Sequence, residues 1–480
     1  MDKVESIFVN VRGLLSRTFD PRLPVEVCER IIDHIAVGWK KGYFITKGEP
    51  YLSTLASCAL VCQDWYYLTW YHLRQRVYLR DRKDVLSLSK TLSAKPRLRE
   101  VIEQVIISGS SPGKRRPIRH LGTFAAMFAG KAPKLWWIII EDAEWTIGSL
   151  RIKDIGYLVA FRSIDTLKIH NITLSNVTQL SHLVLALPRL RDLLCIKVDC
   201  LQKQHVSPVS LPLNCANLED LDVRWVAPAV EDLCVQISRA SRVRDLGLAV
   251  DDELDPSSVA SRSQPLLDAS STSAETIQFH FDPSSPVPDE RHYNLSHHDN
   301  LRRLEIYLYP PFVAWSWIPH ILSHIVSKHF KAMCVVLAFQ TDQMTDVLDG
   351  MLTTMEQDGV LARLDSILQE KRFSGTIASR GVCIGVNSDK DTWTTGSEFV
   401  GMGSAAALQE QYDRLDGLVK RKMPHSRGRG ILSNVHDFQE FVSWRQDMEE
   451  IHHQSMQAEQ KNTTGEDAHP GADGPRGSTD

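Results

Sequence analysis

The sequence of 480 residues lacks the long apolar runs that define membrane-spanning proteins. Its apolar stretches, such as residues 135–140, are far shorter than the roughly 20 residues that cross a bilayer. The N-terminal sequence MDKVESIFVNVRGLL contains no such run either, so we expect no secretory signal. These absences predict a protein that does not associate with a membrane.

The sequence also lacks an excess of basic residues, with 55 Lys and Arg against 59 Asp and Glu. A surface that follows a phosphate backbone needs such an excess, so we expect no nucleic-acid partner. The nine cysteines are odd in number and show no paired spacing. They indicate free thiols rather than a disulfide framework, and therefore a cytoplasmic or nuclear location.

Sequence motifs of catalysis and metal binding are missing as well. The segment HILSH at 320–324 places two histidines four residues apart but lacks the glutamate of zinc proteases. Cys58 and Cys62 have the same spacing, and no second ligand pair follows them at a distance typical of zinc sites. The sequence therefore predicts no metal, no cofactor and no enzymatic activity. An enzyme with scattered catalytic residues is a distant alternative, which would need a deep polar pocket.

What is present is an ordinary globular composition, with 43% hydrophobic and 24% charged residues. The length indicates two or three domains or a repeat array. Changes of pattern divide the chain into five segments. These are an N-terminal extension (1–20), a helix-rich module (21–93), a region of alternating strands and helices (98–433), an amphipathic C-terminal cap (434–453) and a tail expected to be disordered (454–480).

A short apolar pattern recurs through the alternating region, with apolar residues at its first, fourth and sixth positions. Its central residues are Val105, Ile138, Leu167, Leu193, Leu221, Leu246, Ile277, Leu304 and Val335, so that successive copies lie 25 to 33 residues apart. This spacing is at and slightly above the period of leucine-rich repeats. It predicts an irregular α/β solenoid similar to leucine-rich repeats, with an ordinary α/β domain as the alternative.

Segments with helical spacing lie between these predicted strands. Apolar stripes predict helices at 177–187, 230–237, 318–326, 344–355 and 361–368, and a further helix is predicted at 405–422. The polar stretches 251–276 and 282–300 are expected to be surface loops. Strand, helix and strand would then follow one another along the region.

The helix-rich module carries the most distinctive motif of the chain. It opens with LPVEV at 23–27, where Pro24 suits a first helical turn and Glu26 suits its positive end. Apolar residues follow at helical spacing up to Ile35. A second amphipathic segment, LASCALVCQDW, spans residues 55–65.

These two segments resemble the F-box family, whose pattern is Leu-Pro-x-Glu-Leu, then Ile-Leu-x-x-Leu, then a second helix ending in Val-Cys-x-x-Trp. The family joins the two halves by a few residues, whereas residues 36–54 intervene here. With the leucine-rich region that follows, the chain resembles the large fungal set of F-box proteins. The matching adaptor-binding positions are Leu23, Pro24, Val27, Ile31, Ile32, Ile35, Leu55, Val61, Cys62 and Trp65.

The resemblance implies a role in assembly rather than a reaction. F-box proteins dock onto the Skp-type adaptor of cullin–RING ubiquitin ligases (SCF-type) and select a client protein through their C-terminal regions. An alternative is a leucine-rich interaction scaffold whose head does not engage the ligase.

Residues that alternate with the buried strand positions are the candidates for client binding. They are Lys168, His170, Asp222, Arg224, Gln278, His280, Arg303, Glu305, Tyr307 and Tyr309. Their mixture of aromatic rings, guanidinium groups and both charge signs is typical of interaction surfaces. A solvated strand face without a partner is the alternative.

Overall fold

A computed structural model of the chain describes residues 24–41, 50–109, 113–146, 152–202, 217–250, 263–281, 293–309, 315, 317–338, 344–387 and 405–433. The predicted extension (1–20), cap (434–453) and tail (454–480) lie outside the described residues, and so does Leu23.

The described residues form fourteen α-helices and twelve strands. The helices are α1 (Val25–Lys41), α2 (Pro50–Cys58), α3 (Gln63–Gln75), α4 (Arg82–Ala94), α5 (Leu121–Phe128), α6 (Ile152–Leu158), α7 (Val177–Leu185), α8 (Pro228–Ala240), α9 (Gln264–Ser270), α10 (Ile318–Ser323), α11 (Met344–Gln357), α12 (Val360–Leu368), α13 (Ala405–Lys422) and α14 (Pro424–Gly428). The strands are β1 (Arg76–Leu79), β2 (Gln104–Ser108), β3 (Arg116–Pro117), β4 (Trp137–Trp145), β5 (Thr166–Leu174), β6 (Asp192–Cys200), β7 (Asp220–Arg224), β8 (Asp245–Val250), β9 (Thr276–Phe281), β10 (Arg303–Leu308), β11 (Ala332–Ala338) and β12 (Val382–Asn387).

All twelve strands belong to one parallel sheet. Its order follows the chain from β1 to β12, except that the two-residue β3 pairs with the end of β4. Each of the other strands therefore lies beside its predecessor and its successor in the sequence. The predicted α/β class is confirmed.

The recurring apolar pattern explains the register of this sheet. Leu167 pairs with Ile138 on one side and with Leu193 on the other, and all three are buried in the same core. The strands also begin with the same hydrogen bonds. At the start of β6, the Asp165 carbonyl accepts hydrogen bonds from the N–H groups of Arg191 (2.7 Å) and Asp192 (3.0 Å). The same arrangement of two donors and one carbonyl recurs at β4, β5, β7, β8, β9, β10 and β11.

The finer prediction of a solenoid needs correction, because the sheet is one continuous sheet and not a stack of equal units. Between β5 and β6 runs one helix of nine residues, whereas two helices of 14 and nine residues separate β11 from β12. The strand recurs, but the connecting segment does not. A repeated strand pattern in the sequence does not require repeated units, since the register depends on the strands alone.

Helices α4 to α13 contribute buried side chains to the core on one face of the sheet. In α8, Val230, Leu233, Cys234 and Ile237 are buried in the core that the strands share. Helices α7, α8, α11, α12 and α13 lie where the sequence predicts them, and α10 ends at Ser323, before the predicted residue 326. Helix α9 lies in a stretch expected to be a loop, because its two buried leucines, Leu266 and Leu267, are too few to form a periodic stripe.

Helices α1–α3, which we call the helical head, have a separate small core. It consists of Ile32, Ala36, Leu55 and Cys58. By contrast, β1 and α4 pack in the core of the sheet, so the head ends near Gln75 and not at residue 93 as predicted. At the junction, the Glu103 N–H donates to the Gln75 carbonyl (2.9 Å), and the Gln75 side chain donates to the Glu103 carboxylate (2.8 Å).

Four neighbouring strands bend at the same register position. Asp142, Asn171, Lys197 and Trp225 have φ values of 48°, 51°, 54° and 51°, in the left-handed region. Arg115 holds the bend from the segment before β3, donating to Asn171 Oδ1 (2.9 Å) and Thr173 Oγ1 (2.8 Å) and contacting Asp199. The bend lets β4, β5 and β6 continue pairing for a further three residues.

Candidate functional site

Exposed apolar side chains are concentrated on the helical head. Twelve large apolar side chains are exposed in the described part of the chain, and seven of them belong to helices α1–α3 or the turn between α2 and α3. The seven are Val25, Val27, Ile31, Leu60, Val61, Tyr67 and Tyr71. The small core of the head thus coexists with an unusually apolar surface.

Helical spacing explains which residues of α1 face outward. Cys28, Ile32 and Ala36 are one turn apart and buried, whereas Val27 and Ile31 form a parallel row that is exposed. Both rows belong to one wide apolar stripe in the sequence, so periodicity alone does not separate core from surface.

The predicted adaptor-binding residues divide accordingly. Pro24, Val27, Ile31 and Val61 are exposed, and Cys62 is half-buried. Ile35 and Trp65 pack partly against the core of the head. Ile32 and Leu55 are fully buried (0% exposed), which corrects their assignment, because an interior side chain supports the head and cannot touch a partner.

The sequence motif does not include four of the exposed apolar residues of the head. Val25 occupies the variable position of the opening motif, and Leu60 precedes the Val-Cys pair. Tyr67 and Tyr71 lie beyond the motif on α3. A search for apolar residues outside the buried stripe would have found all four.

The second candidate surface is the face of the sheet opposite the helices, which we call the strand face. Pairing aligns its residues in rows across the sheet. One row is Tyr78, Ile106, Ile139, Lys168, Leu194, Asp222, Gly247, Gln278, Glu305, Cys334 and Cys383. The row is apolar at both ends and carries its charges in the middle.

The ten predicted client-binding residues all lie on this face or just beyond it, but none is exposed. Lys168, Asp222, Gln278, His280 and Glu305 are buried. His170, Arg224, Arg303, Tyr307 and Tyr309 are half-buried. The alternative of a solvated strand face is therefore wrong for the five buried residues, whereas client binding by this face stays a prediction.

An ion pair between buried Asp222 and half-buried Arg224 forms the centre of the strand face. Arg224 donates from Nε to Asp222 Oδ1 (2.6 Å) and from Nη2 to Oδ2, in the bidentate geometry that favours carboxylates. Its Nη1 donates to Nδ1 of His280 (3.3 Å), and the Tyr309 hydroxyl lies at 3.3 Å from the same nitrogen. Because a guanidinium group can only donate, Nδ1 of His280 is the acceptor in the contact with Arg224.

The network continues through an aromatic stack. The His280 ring lies parallel to Tyr307, with ring centres 4.3 Å apart. The Tyr307 hydroxyl donates to Glu305 Oε2 (2.9 Å), and Glu305 Oε1 lies 2.7 Å from Arg303 Nε. Two ion pairs, Asp222–Arg224 on β7 and Glu305–Arg303 on β10, are thus connected through His280 and Tyr307.

Gly247 provides the space for this ion pair. A Cβ atom at Gly247 would lie 2.6 Å from Asp222 Oδ1 and 2.9 Å from its Cγ. Any side chain here would therefore push the carboxylate away from Arg224.

Burial shifts the pKa values of two titratable side chains on the strand face. Burial lowers the pKa of Lys168 to about 7, although Glu141 and Asp222 oppose the shift. Burial, together with the positive charges of Lys168, Lys197 and Arg115, lowers the pKa of His170 to about 3. Lys168 can therefore exchange a proton near neutral pH, whereas His170 stays neutral there.

Among the described residues, no group of three or more His, Cys, Asp or Glu side chains is placed to hold a metal ion. None of the described helices combines the length and hydropathy needed to cross a bilayer.

No protein-family model matches the chain, and no curated protein matches it significantly in sequence. The function proposed for it rests on its own residues.

Proposed function

We propose that the chain is the substrate-receptor subunit of a cullin–RING ubiquitin ligase. The helical head docks onto a Skp-type adaptor as an F-box does, and the strand face binds a client protein. The chain performs no chemistry itself but raises the concentration of the client near the transferring enzyme.

The concentration of exposed apolar side chains on the head carries this proposal. Isolated exposed apolar residues are ordinary, but a group of them marks an interaction surface. Covering such side chains contributes about 25 cal/mol per Å² of apolar area removed from water. A partner on this surface therefore stabilises a head whose described core is a small cluster of four buried apolar residues.

The turn between α2 and α3 presents the most exposed part of the motif. Hydrogen bonds from Leu60 N to the Ser57 carbonyl (3.0 Å) and from Val61 N to the Cys58 carbonyl (3.1 Å) fix this turn. Val61 is 59% exposed although it is fully apolar. A rigid turn that carries exposed apolar side chains loses little conformational entropy on binding.

Among the predicted client-binding residues, the half-buried ones offer direct contact to a client. These are His170, Arg224, Arg303, Tyr307 and Tyr309. Arg and Tyr are common among the residues that dominate binding energy. The buried residues beneath them hold these side chains in place.

The test is co-purification of the intact protein with a Skp-type adaptor, compared with an Ile31→Asp, Val61→Asp variant. Each substitution puts a charge on an exposed apolar position of the head without altering its core. If both residues lie in the interface, we expect a loss of at least about 2 kcal/mol, or roughly thirtyfold in affinity.

A matched control is Leu86→Asp, Val326→Asp, which changes two equally apolar residues outside the head, each 45% exposed. It should bind the adaptor like the parent protein. Failure of the intact, folded protein to bind any Skp-type adaptor would refute the ligase role and favour an interaction scaffold.

A further inference from the structure

Helix α10, between β10 and β11, carries two histidines on its outer side. Its apolar side chains, Ile321 and Leu322 among them, are buried in the core of the sheet. His320 and His324 are half-buried and four residues apart, so their rings extend from adjacent turns. The two rings are in contact, with centres 4.6 Å apart. The fold therefore brings two imidazoles together where solvent reaches them.

The separation of the two rings is close to the one that a shared metal ion requires. Imidazoles bound to one tetrahedral zinc ion, with Zn–N bonds of about 2.0 Å, have ring centres about 5 Å apart. Zinc proteases take two of their ligands from histidines at this same spacing on a helix. The glutamate of those enzymes is a base and not a ligand. Its absence from HILSH therefore bears on catalysis and not on metal binding.

The hydrogen bond of the His324 ring has the form that metal-ligating histidines use. Its Nδ1 lies 3.1 Å from the His320 carbonyl oxygen. Because a carbonyl can only accept, Nδ1 carries a proton, and in the neutral imidazole the lone pair is on Nε2. Histidines that bind metals almost always donate their other ring N–H to a carbonyl, a carboxylate or water, which fixes the orientation of the ring. The fold provides this outer bond for His324.

Arg372 holds the main chain on both sides of His324. Its Nη1 donates to the carbonyls of Ser323 (2.6 Å) and Ile325 (3.0 Å). A backbone fixed in this way loses little conformational entropy when the ring binds an ion. The guanidinium charge disfavours a nearby cation, but its ion pair with Glu370 (2.8 Å) offsets part of that effect.

We propose that His320 and His324 bind a divalent transition-metal ion such as Zn²⁺ through one nitrogen of each ring. Water fills the remaining coordination positions. Imidazole ligands favour Zn²⁺ and Cu²⁺, whereas Mg²⁺ prefers oxygen ligands, so the site discriminates between these ions. A bound ion joins adjacent turns of α10 and stabilises the connection between β10 and β11. The site does not depend on whether the helical head binds an adaptor.

Calorimetric titration of the full-length protein with zinc chloride tests the site, with the variants His320→Gln, His324→Gln and the double variant. Loss of one ligand should weaken binding at this site at least about tenfold, since loss of an outer partner alone costs about 10–100-fold. Each single variant should bind as weakly as the double variant, because a chelate needs both rings. The control His182→Gln removes a half-buried histidine of α7 that has no histidine one turn away, and it should bind like the parent.

Chemical modification of the unmutated protein locates the ion. Diethyl pyrocarbonate modifies histidine rings that have an available nitrogen, and mass spectrometry follows each residue. At a zinc concentration of about ten times the dissociation constant, His320 and His324 should react about tenfold more slowly than without metal. The rate at His182 should not change, and the same concentration of magnesium chloride should protect none of the three.

Two results would overturn the proposal. One is equal zinc binding by the parent and the double variant, which would show adventitious binding elsewhere in the chain. The other is modification of His320 and His324 at the same rate with and without zinc. Misfolding of a variant would be recognised by a lower unfolding midpoint in the absence of metal, and the modification rates of the unmutated protein then decide.

Discussion

At the scale of single residues, burial decides what each side chain of the strand face does. Lys168 sits in a row between Ile139 and Leu194 and is 2% exposed. Such a position is unfavourable for a charge, because little water solvates it and the nearby carboxylates compensate only in part. Its ionisation should therefore be coupled to folding.

We predict that the free energy of unfolding rises with pH above about pH 7 because of Lys168. Its pKa is about 7 in the folded protein and 10.5 in the unfolded reference. Between these values the unfolded chain binds a proton that the folded protein does not, so a higher pH favours folding. Lys168 raises the free energy of unfolding by at most about 1.4 kcal/mol per pH unit.

Urea unfolding of the parent and of Lys168→Met at about pH 6.5 and about pH 8.5 measures this contribution. The stability difference between the two pH values should be smaller in Lys168→Met, because methionine does not titrate. Lys90→Met, at an exposed position of α4, serves as the control and should behave like the parent. Identical pH dependence in all three proteins would contradict the prediction.

At the scale of elements, the shared bend of β4 to β7 is a feature that repeats without a sequence signature. Its four positions hold Asp, Asn, Lys and Trp, and none holds glycine. Asp and Asn tolerate left-handed φ values, but Lys and Trp are strained there by about 1–2 kcal/mol. The hydrogen bonds of Arg115 and the pairing beyond the bend offset this strain.

We predict that Lys197→Gly raises the free energy of unfolding by about 0.5–1 kcal/mol. Glycine adopts the left-handed φ of 54° without strain, and the gain exceeds the entropy that glycine loses on folding. Lys197 is exposed, so little packing is lost.

Lys197→Ala is the matched control for this change, because alanine also removes the side chain but keeps the strain. Thermal or urea unfolding should rank the glycine variant above the parent and the alanine variant at or below it. The opposite order would show that the bend is not strained at this position.

At the scale of the whole molecule, the helical head and the sheet have separate cores. They meet through α3, β1 and the Gln75–Glu103 hydrogen bonds. The head has few buried apolar residues, whereas the core of the sheet extends along all of its helices. The head should therefore open without the sheet.

We predict that Ile32→Ala destabilises the head by about 2–5 kcal/mol and leaves the sheet folded. Hydrogen exchange should speed up in residues 25–75 and stay unchanged in β4 to β11. Leu167→Ala, in the core of the sheet, is the counterpart and should speed up exchange across the strands. Loss of protection throughout the Ile32→Ala protein would show that the two cores unfold as one.

Much of the fold could be predicted from the sequence, because buried apolar residues recur with the period of the helix or strand that contains them. The apolar pattern predicts β2 and the strands from β4 to β11, and the stripes predict α7, α8, α11, α12 and α13. Helix α9 and the bend of β4–β7 were missed, since two leucines form no stripe and no glycine marks the bend. Periodicity also does not distinguish equal repeats from one sheet with unequal connections.

For the candidate site, the set of residues that share a face follows from the sequence, because alternation in strands and the helical repeat fix side-chain direction. Which of these residues a partner can reach follows from the tertiary structure. It buried Ile32 and Leu55 inside the head, left Val61 on its surface, and closed the strand face around Asp222 and Arg224. The physical reason is that exposure depends on contacts between segments distant in the sequence, and local patterns carry no information about those contacts.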